Sequence, residues 1–304
     1  MKNAIVTKIA FGVTVLFICV FFACKNKTTD PTPPPVTPPP VIPPPVTPPP
    51  TATCKLVTQS STENGSTASQ SYKFEYDADG NPSRVSYFTN GGMKLDETVK
   101  PTEVNIIETP SNSPYQKTTY DVSYVDKKPK TYVIHAGSGL VLAGVFTYDS
   151  KGRLAAVKGG FASSTGVLDE TQATTVALAY DDNDNLTTAV YRGPLGNVLH
   201  TYTATGYDTH NTPFSGIKNS VFLQYDFYWF STDYDKPRHL FDHLSAHNVL
   251  GYTHNSGSGS FIEAETFKYT YNDKGQPTQR DASSGEAGQT PTKGYFDAWA
   301  YDCK

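Results

Sequence analysis

The sequence predicts a mainly β protein: a single extended, curved antiparallel sheet of β-hairpins with one short covering helix over about 236-246, preceded by a disordered proline-rich tether. Three observations predict it. Thr, Tyr, Val and Phe are abundant after the first fifty residues, and all 20 tyrosines lie from Tyr72 onward. Such aromatic and β-branched side chains suit a pleated, half-buried surface. An aromatic-x-Tyr-Asp-x-x-Gly pattern recurs along this same region. Finally, Pro31–Pro50 holds 13 of the 23 prolines in a five-residue period, which closes both helix and central strand to that segment.

The recurring pattern reads as a hairpin with an aromatic strand leading into a polar turn. Its clearest copy contains Phe74, Tyr76, Asp77 and Gly80, and a close match contains Phe146, Tyr148, Asp149 and Gly152. A third has Tyr269, Tyr271, Asn272 and Gly275, and a fourth runs from Tyr180-Asp181 into Asp182-Asn183-Asp184-Asn185. Weaker copies sit at Tyr207-Asp208 with Asn211, and at Tyr234-Asp235. Residues two apart share a strand face, so Phe74 and Tyr76 point the same way. Asp is favoured at the first position of a type I turn, where its carboxylate accepts local amide hydrogens. Gly three residues later supplies the positive φ of a bulge that turns the chain back.

These motifs resemble the Tyr-Asp (YD, Rhs-type) repeat, and more closely a group of uncharacterised Gram-negative surface lipoproteins with a leader, a short tether and a YD-like β domain. The resemblance covers most of 70–304. It implies an architecture and carries no catalytic residues. About six degenerate copies are too few to enclose a cargo as large Rhs shells do.

Returning strands are expected at Ser83–Phe88 and Arg153–Val157, with further strands at Thr119–Val125, Lys130–His135, Thr174–Tyr180 and Leu186–Arg192. Val221–Phe230 is apolar on both alternating faces, which suits a strand covered on both sides. The helix expected over Lys236–Ala246 has Asp235 as N-cap, Pro237 in the first turn and a stripe of Leu240, Phe241 and Leu244.

The N-terminus reads as an export signal: Lys2 and Lys8, then a 14-residue apolar run over Ile9–Phe22, shorter than the roughly 20 residues of a spanning helix. Phe21-Phe22-Ala23-Cys24 resembles a lipobox, which implies an acylated Cys24; an uncleaved anchor and plain secretion are the other readings. The domains expected are a signal peptide at 1-23, a lipidated Cys and proline-rich tether at 24-51, and the β domain at 52-304. As polyproline II, Pro31–Pro50 reaches roughly 60 Å. Lys25 follows the cysteine where an inner-membrane retention signal places Asp, which by resemblance favours the outer membrane or cell surface.

Cys54 and Cys303 stand just inside the two ends of the β domain. Domain ends often meet and exported compartments permit disulfides, so a Cys54–Cys303 bridge is expected, with two separate buried thiols as the other reading. Beyond Pro50 the chain has 21 Lys and Arg against 28 Asp and Glu, which gives it no electrostatic basis for binding nucleic acid.

Chemistry-bearing motifs are sparse. His239, His243 and His247 recur every four residues. His at i and i+4 of a helix can ligate Zn²⁺, so His239 and His243 are weak metal candidates that need a third ligand such as Asp242 or His254. A polar helix face, with His247 near its C-terminal end, is the plainer reading. The Asp-rich turns lack the Gly and Glu of a full calcium loop, and no Gly-x-Ser-x-Gly elbow occurs. Trp229, within Phe227–Phe230, and Trp299 are possible ligand-stacking aromatics; the plainer reading places them in the core. The expected function is therefore a surface-anchored, non-enzymatic binding or structural role at the bacterial envelope. Its expected partners are the membrane through Cys24 and a glycan or envelope protein, and no cofactor is expected. The alternative is a secreted hydrolase of polysaccharide or peptide.

Overall fold

The fold was analysed in a computed structural model, which describes residues 54–63, 69–80, 82–90, 92–98, 119–126, 128–135, 139–215, 217, 238–286 and 289–303. The leader, Cys24, the tether, the strand expected at Val221–Phe230 with its Trp229, and Tyr234-Asp235 lie outside these residues.

In chain order the strands are β1 (Cys54–Glu63), β2 (Ser69–Tyr76), β3 (Pro82–Thr89), β4 (Gly92–Thr98), β5 (Thr119–Val125), β6 (Lys128–His135), β7 (Val141–Tyr148) and β8 (Leu154–Phe161). There follow β9 (Thr174–Tyr180), β10 (Leu186–Arg192), β11 (Val198–Asn211), the helix α1 (Arg238–Leu244), β12 (His247–Ser256), β13 (Phe261–Tyr271), β14 (Pro277–Glu286) and β15 (Thr292–Cys303). All belong to one 15-stranded open sheet in the order β4-β3-β2-β1-β15-β14-β13-β12-β11-β10-β9-β8-β7-β6-β5. Every neighbour is antiparallel, and the only adjacent pair not consecutive in sequence is β1 and β15. The first and last strands of the domain thus meet inside the sheet, joined by a Cys54–Cys303 disulfide.

Antiparallel succession sends alternate connections to opposite rims. The expected hairpin turns all fall on one rim, here the turn rim. Gly80, Gly152 and Gly275 have φ of 84°, 80° and 74°, and Asp184 takes the same place with φ 62°. Their amides donate to the carbonyls of Asp77, Asp149, Asn272 and Asp181. The Asp149, Asp181 and Asn272 side chains accept backbone amides from Arg153, Asn185 and Gln276. The calcium-like Asp181–Asn185 run is thus an ordinary turn held by its own amides.

One face of the sheet is buried. On β9 and β10 Val176, Leu178, Ala189 and Tyr191 are buried, as are Tyr202 on β11, Phe267 on β13 and Tyr295 on β15. Tyr132 crosses β7 and β8 where Gly144 and Gly159 leave room; a Cβ at either would overlap its ring or hydroxyl. The opposite face of β9 to β13 carries Thr175, Thr188, Thr201, Thr203, Thr205, Thr266, Lys268 and Thr270, none of them buried. Among the described residues no helix is long and apolar enough to cross a membrane.

The described part of the expected helix is α1, which ends two residues earlier than expected. The Ser245 amide closes it by donating a hydrogen bond to the Phe241 carbonyl, and the Ala246 amide then donates to the Asp184 carbonyl. His247 is therefore not a helix-end cation but the first residue of β12, where its amide and Nδ1 both meet Asn185 Oδ1 at 3.0 Å. Leu240, Phe241 and Leu244 are buried against the sheet, with α1 touching β10 and β12. The sheet curves around this cover. Tyr76 at the end of β2 and Thr209 on β11 line one cavity of about 340 Å³, although six strand intervals separate them, about 29 Å if the sheet were flat.

Candidate functional site

Turn-rim tyrosines follow a rule. Tyr76, Tyr148, Tyr180 and Tyr301 donate to the carbonyls of Leu56, Pro129, Leu154 and Pro277 at 2.6, 2.8, 2.9 and 2.8 Å. Tyr207 does the same to Leu186, and Tyr269 to Val249. Each acceptor opens the preceding strand, which is joined to the tyrosine's own strand only at the far rim. The hydroxyl therefore fastens the open end of that pair. Where a cation precedes the acceptor it sits over the ring: Lys55 on Tyr76, Lys128 on Tyr148 and Arg153 on Tyr180, at 5.2, 5.3 and 4.7 Å. Burial pushes the Tyr76 hydroxyl up to about 12.

Tyr301-Asp302 is a copy of the motif that the sequence reading missed. There Cys303 bonds to Cys54, and Lys55-Leu56 follows as Arg153-Leu154 follows Gly152. The disulfide stands where a Tyr-Asp turn stands elsewhere.

Tyr207-Asp208 breaks the rule differently. It opens no hairpin turn: β11 runs on to Asn211, the next strand among the described residues begins at His247, and the Thr212 amide donates to the Ala246 carbonyl at 3.2 Å. Asp208 instead accepts the Tyr271 hydroxyl, the His210 amide at 2.9 Å and Asn248 Nδ2 at 3.2 Å. The His210 ring stacks on Tyr271 with centroids 4.1 Å apart. Burial, followed by the bond to Asp208, drives the Tyr271 hydroxyl well above its ordinary value. Tyr271 is thus diverted from the fastening role, which Tyr269 fills.

The cavity of about 340 Å³ opens beside this break. Its described wall comprises the start of β1, the β2–β3 and β13–β14 turns, the end of β11 and Thr212, Pro213, Ser215 and Ile217 after it. It presents Lys55, Lys274, His210, Asn211, Thr212 and Gln276, with Tyr76 and Tyr301 behind, and no Asp or Glu. Among the described residues two buried polar atoms of this wall have no hydrogen-bond partner, Thr212 Oγ1 and His210 Nδ1, the latter 3.9 Å from Asp208 Oδ2, and Thr212 is 4% exposed. Unsatisfied buried polar groups are scarce in folded proteins. Of the wall residues only Tyr76, Gly80, Asn211 and Gly275 hold motif positions of Tyr-Asp copies legible in the sequence. The available signal was a Tyr-Asp copy without its glycine.

The other candidates lie elsewhere. His239 and His243 have ring centroids 5.7 Å apart, and among the described residues no group of three His, Cys, Asp or Glu suits a metal ion. Of the suggested third ligands, Asp242 binds Arg280 at 2.6 Å and His254 lies beside His200 on the sheet, at 2.9 Å. Trp299 is no open stacking surface: it is 5% exposed, packs parallel to Tyr269 and lies against the Arg280 guanidinium. It anchors the last strand.

No protein-family model matches the sequence, and no curated protein matches it. The resemblance to Tyr-Asp repeat proteins accordingly has no matching family model behind it. Solved structures do share the fold. A porin-like protein from Bacteroides uniformis is similar at TM-score 0.55 and 12% identity, over 81% of this chain and 98% of that one. A porin-like protein from Bacteroides vulgatus aligns at TM-score 0.49 and 10% identity, over 82% and 99%.

Proposed function

We propose that this protein is a lipid-anchored, non-enzymatic binding module of the bacterial envelope that holds a glycan in the turn-rim cavity. The observation that carries this reading is the wall of that cavity: a local break in an otherwise regular fastening scheme, with buried His210 and Thr212 atoms that have no hydrogen-bond partner among the described residues. Departures from a consistent local pattern concentrate at functional sites, and concave sites with a few convergent polar groups are the usual seats of ligands. The described wall holds no carboxylate, whereas most glycosidases need two; this supports binding over hydrolysis. The lipobox-like Cys24 and the proline tether support an address at the outer membrane or cell surface. The porin-like description of the Bacteroides uniformis structure is compatible with an envelope setting.

A pore is disfavoured by the sheet itself. A lipid-spanning barrel turns apolar side chains outward and polar ones inward, whereas here the covered face is apolar and the opposite face of β9 to β13 is rich in threonine.

The test is equilibrium binding of the full chain to a panel of oligosaccharides and envelope proteins, with fatty-acid labelling of wild type and Cys24→Ala in a bacterial host. Saccharide binding and label lost in Cys24→Ala are expected. A chain that binds no saccharide, or that hydrolyses one, refutes the proposal.

A further inference from the structure

Resting on the binding reading above, we infer that the ligand is an anionic saccharide, its negative group held between Lys55 and Lys274. The domain beyond Pro50 is acidic, with 28 Asp and Glu against 21 Lys and Arg. Against that background, the described cavity wall carries two lysines and a histidine and no acid at all. Lys55 approaches from β1, its ammonium 2.7 Å from where a Cβ of Gly80 would stand. Lys274 sits on the β13–β14 turn, where Asn272 Oδ1 fixes its amide at 3.0 Å. Low-dielectric walls lined by one sign of charge focus field and raise the local concentration of the opposite sign. Asn211, Gln276 and Thr212 supply amides and a hydroxyl, donors and acceptors that match sugar hydroxyls. Thr212 Oγ1 and His210 Nδ1 gain in such a ligand the partners they lack among the described residues. A simple anion would leave the amide wall unused, and a neutral sugar would leave both wall lysines without a carboxylate or other anion.

The test is calorimetric titration of the full chain with length-matched probes: an oligogalacturonate, a sulfated oligosaccharide, a neutral oligosaccharide, and inorganic sulfate alone. One or both anionic saccharides should bind at least tenfold more tightly than the neutral one and than sulfate, and binding should weaken as salt rises. Lys55→Gln/Lys274→Gln should lose that preference while keeping the wild-type melting temperature. Lys274→Glu, a reversal on an exposed turn, should lose it even if the double variant fails to fold. Equal affinity for the neutral probe overturns the charge selection and leaves the binding cavity standing. Equal affinity for sulfate alone overturns the saccharide, and preference retained in Lys274→Glu overturns the site. Binding of no saccharide defeats both this inference and the function it rests on.

Discussion

The guanidinium of Arg280 is 1% exposed and is gripped by carboxylates from two elements, Asp242 on α1 and Asp297 on β15, each at 2.6 Å. Phe267, Tyr295 and Trp299 lie around it at 4.8, 5.7 and 5.4 Å. Burial opposes its charge, and the two carboxylates outweigh that. Such a group fixes where α1 sits more than it adds net stability, because desolvation offsets most of the ion-pair gain. Arg280→Met alone should cost about 3–5 kcal/mol by stranding two buried carboxylates. Adding Asp242→Leu and Asp297→Leu should recover most of that loss, with urea denaturation as the readout; a triple variant no better than the single one refutes this account. The tyrosine fasteners are smaller contributors: Tyr148→Phe removes one hydroxyl-to-carbonyl bond and should cost about 1 kcal/mol in the same assay.

At the scale of elements, the hairpins were legible because the turn chemistry is local. Asp or Asn and a positive-φ residue three positions on, glycine or, in one copy, Asp184, determine each other within five positions, so strands such as Thr174–Tyr180 and Leu186–Arg192 could be bounded to the residue. The tyrosine fasteners were not legible, because each joins residues 19 to 26 apart, such as Tyr148 to Pro129 and Tyr180 to Leu154. The cavity was illegible for the same reason: Lys55, His210 and Lys274 meet only through sheet curvature. Two predictions belong to the turns. Gly152→Ala places a side chain at φ 80° and should cost about 1 kcal/mol. Asp181 governs an acid response. Burial raises its carboxyl, but hydrogen bonds from Asn185 and Asn183 outweigh this and hold it below its ordinary value. A lowered folded value means the turn's contribution is complete above about pH 4 and is lost as pH falls further. Asp181→Asn should therefore flatten the fall in denaturation midpoint below about pH 4 and leave the slope above it unchanged.

At the scale of the molecule, the sheet is a meander whose strand order begins and ends at β4 and β5 while the first and last described strands, β1 and β15, lie beside each other. The composition and motif made the sheet predictable; its strand order was not, since nothing in the sequence marks β1 as the neighbour of β15 except the paired cysteines. Reducing a disulfide that spans 249 residues should lower stability by up to about 5 kcal/mol, read as a fall in the denaturation midpoint under reductant. Cys54 and Cys303 occupy the place of a peptide turn, so the covalent path around the sheet is interchangeable at that point. A circular permutant that links Asp302 to Lys55 through a short Asp-x-x-Gly segment, with new ends cut between Glu63 and Ser69, should assemble the same sheet without any sulfur.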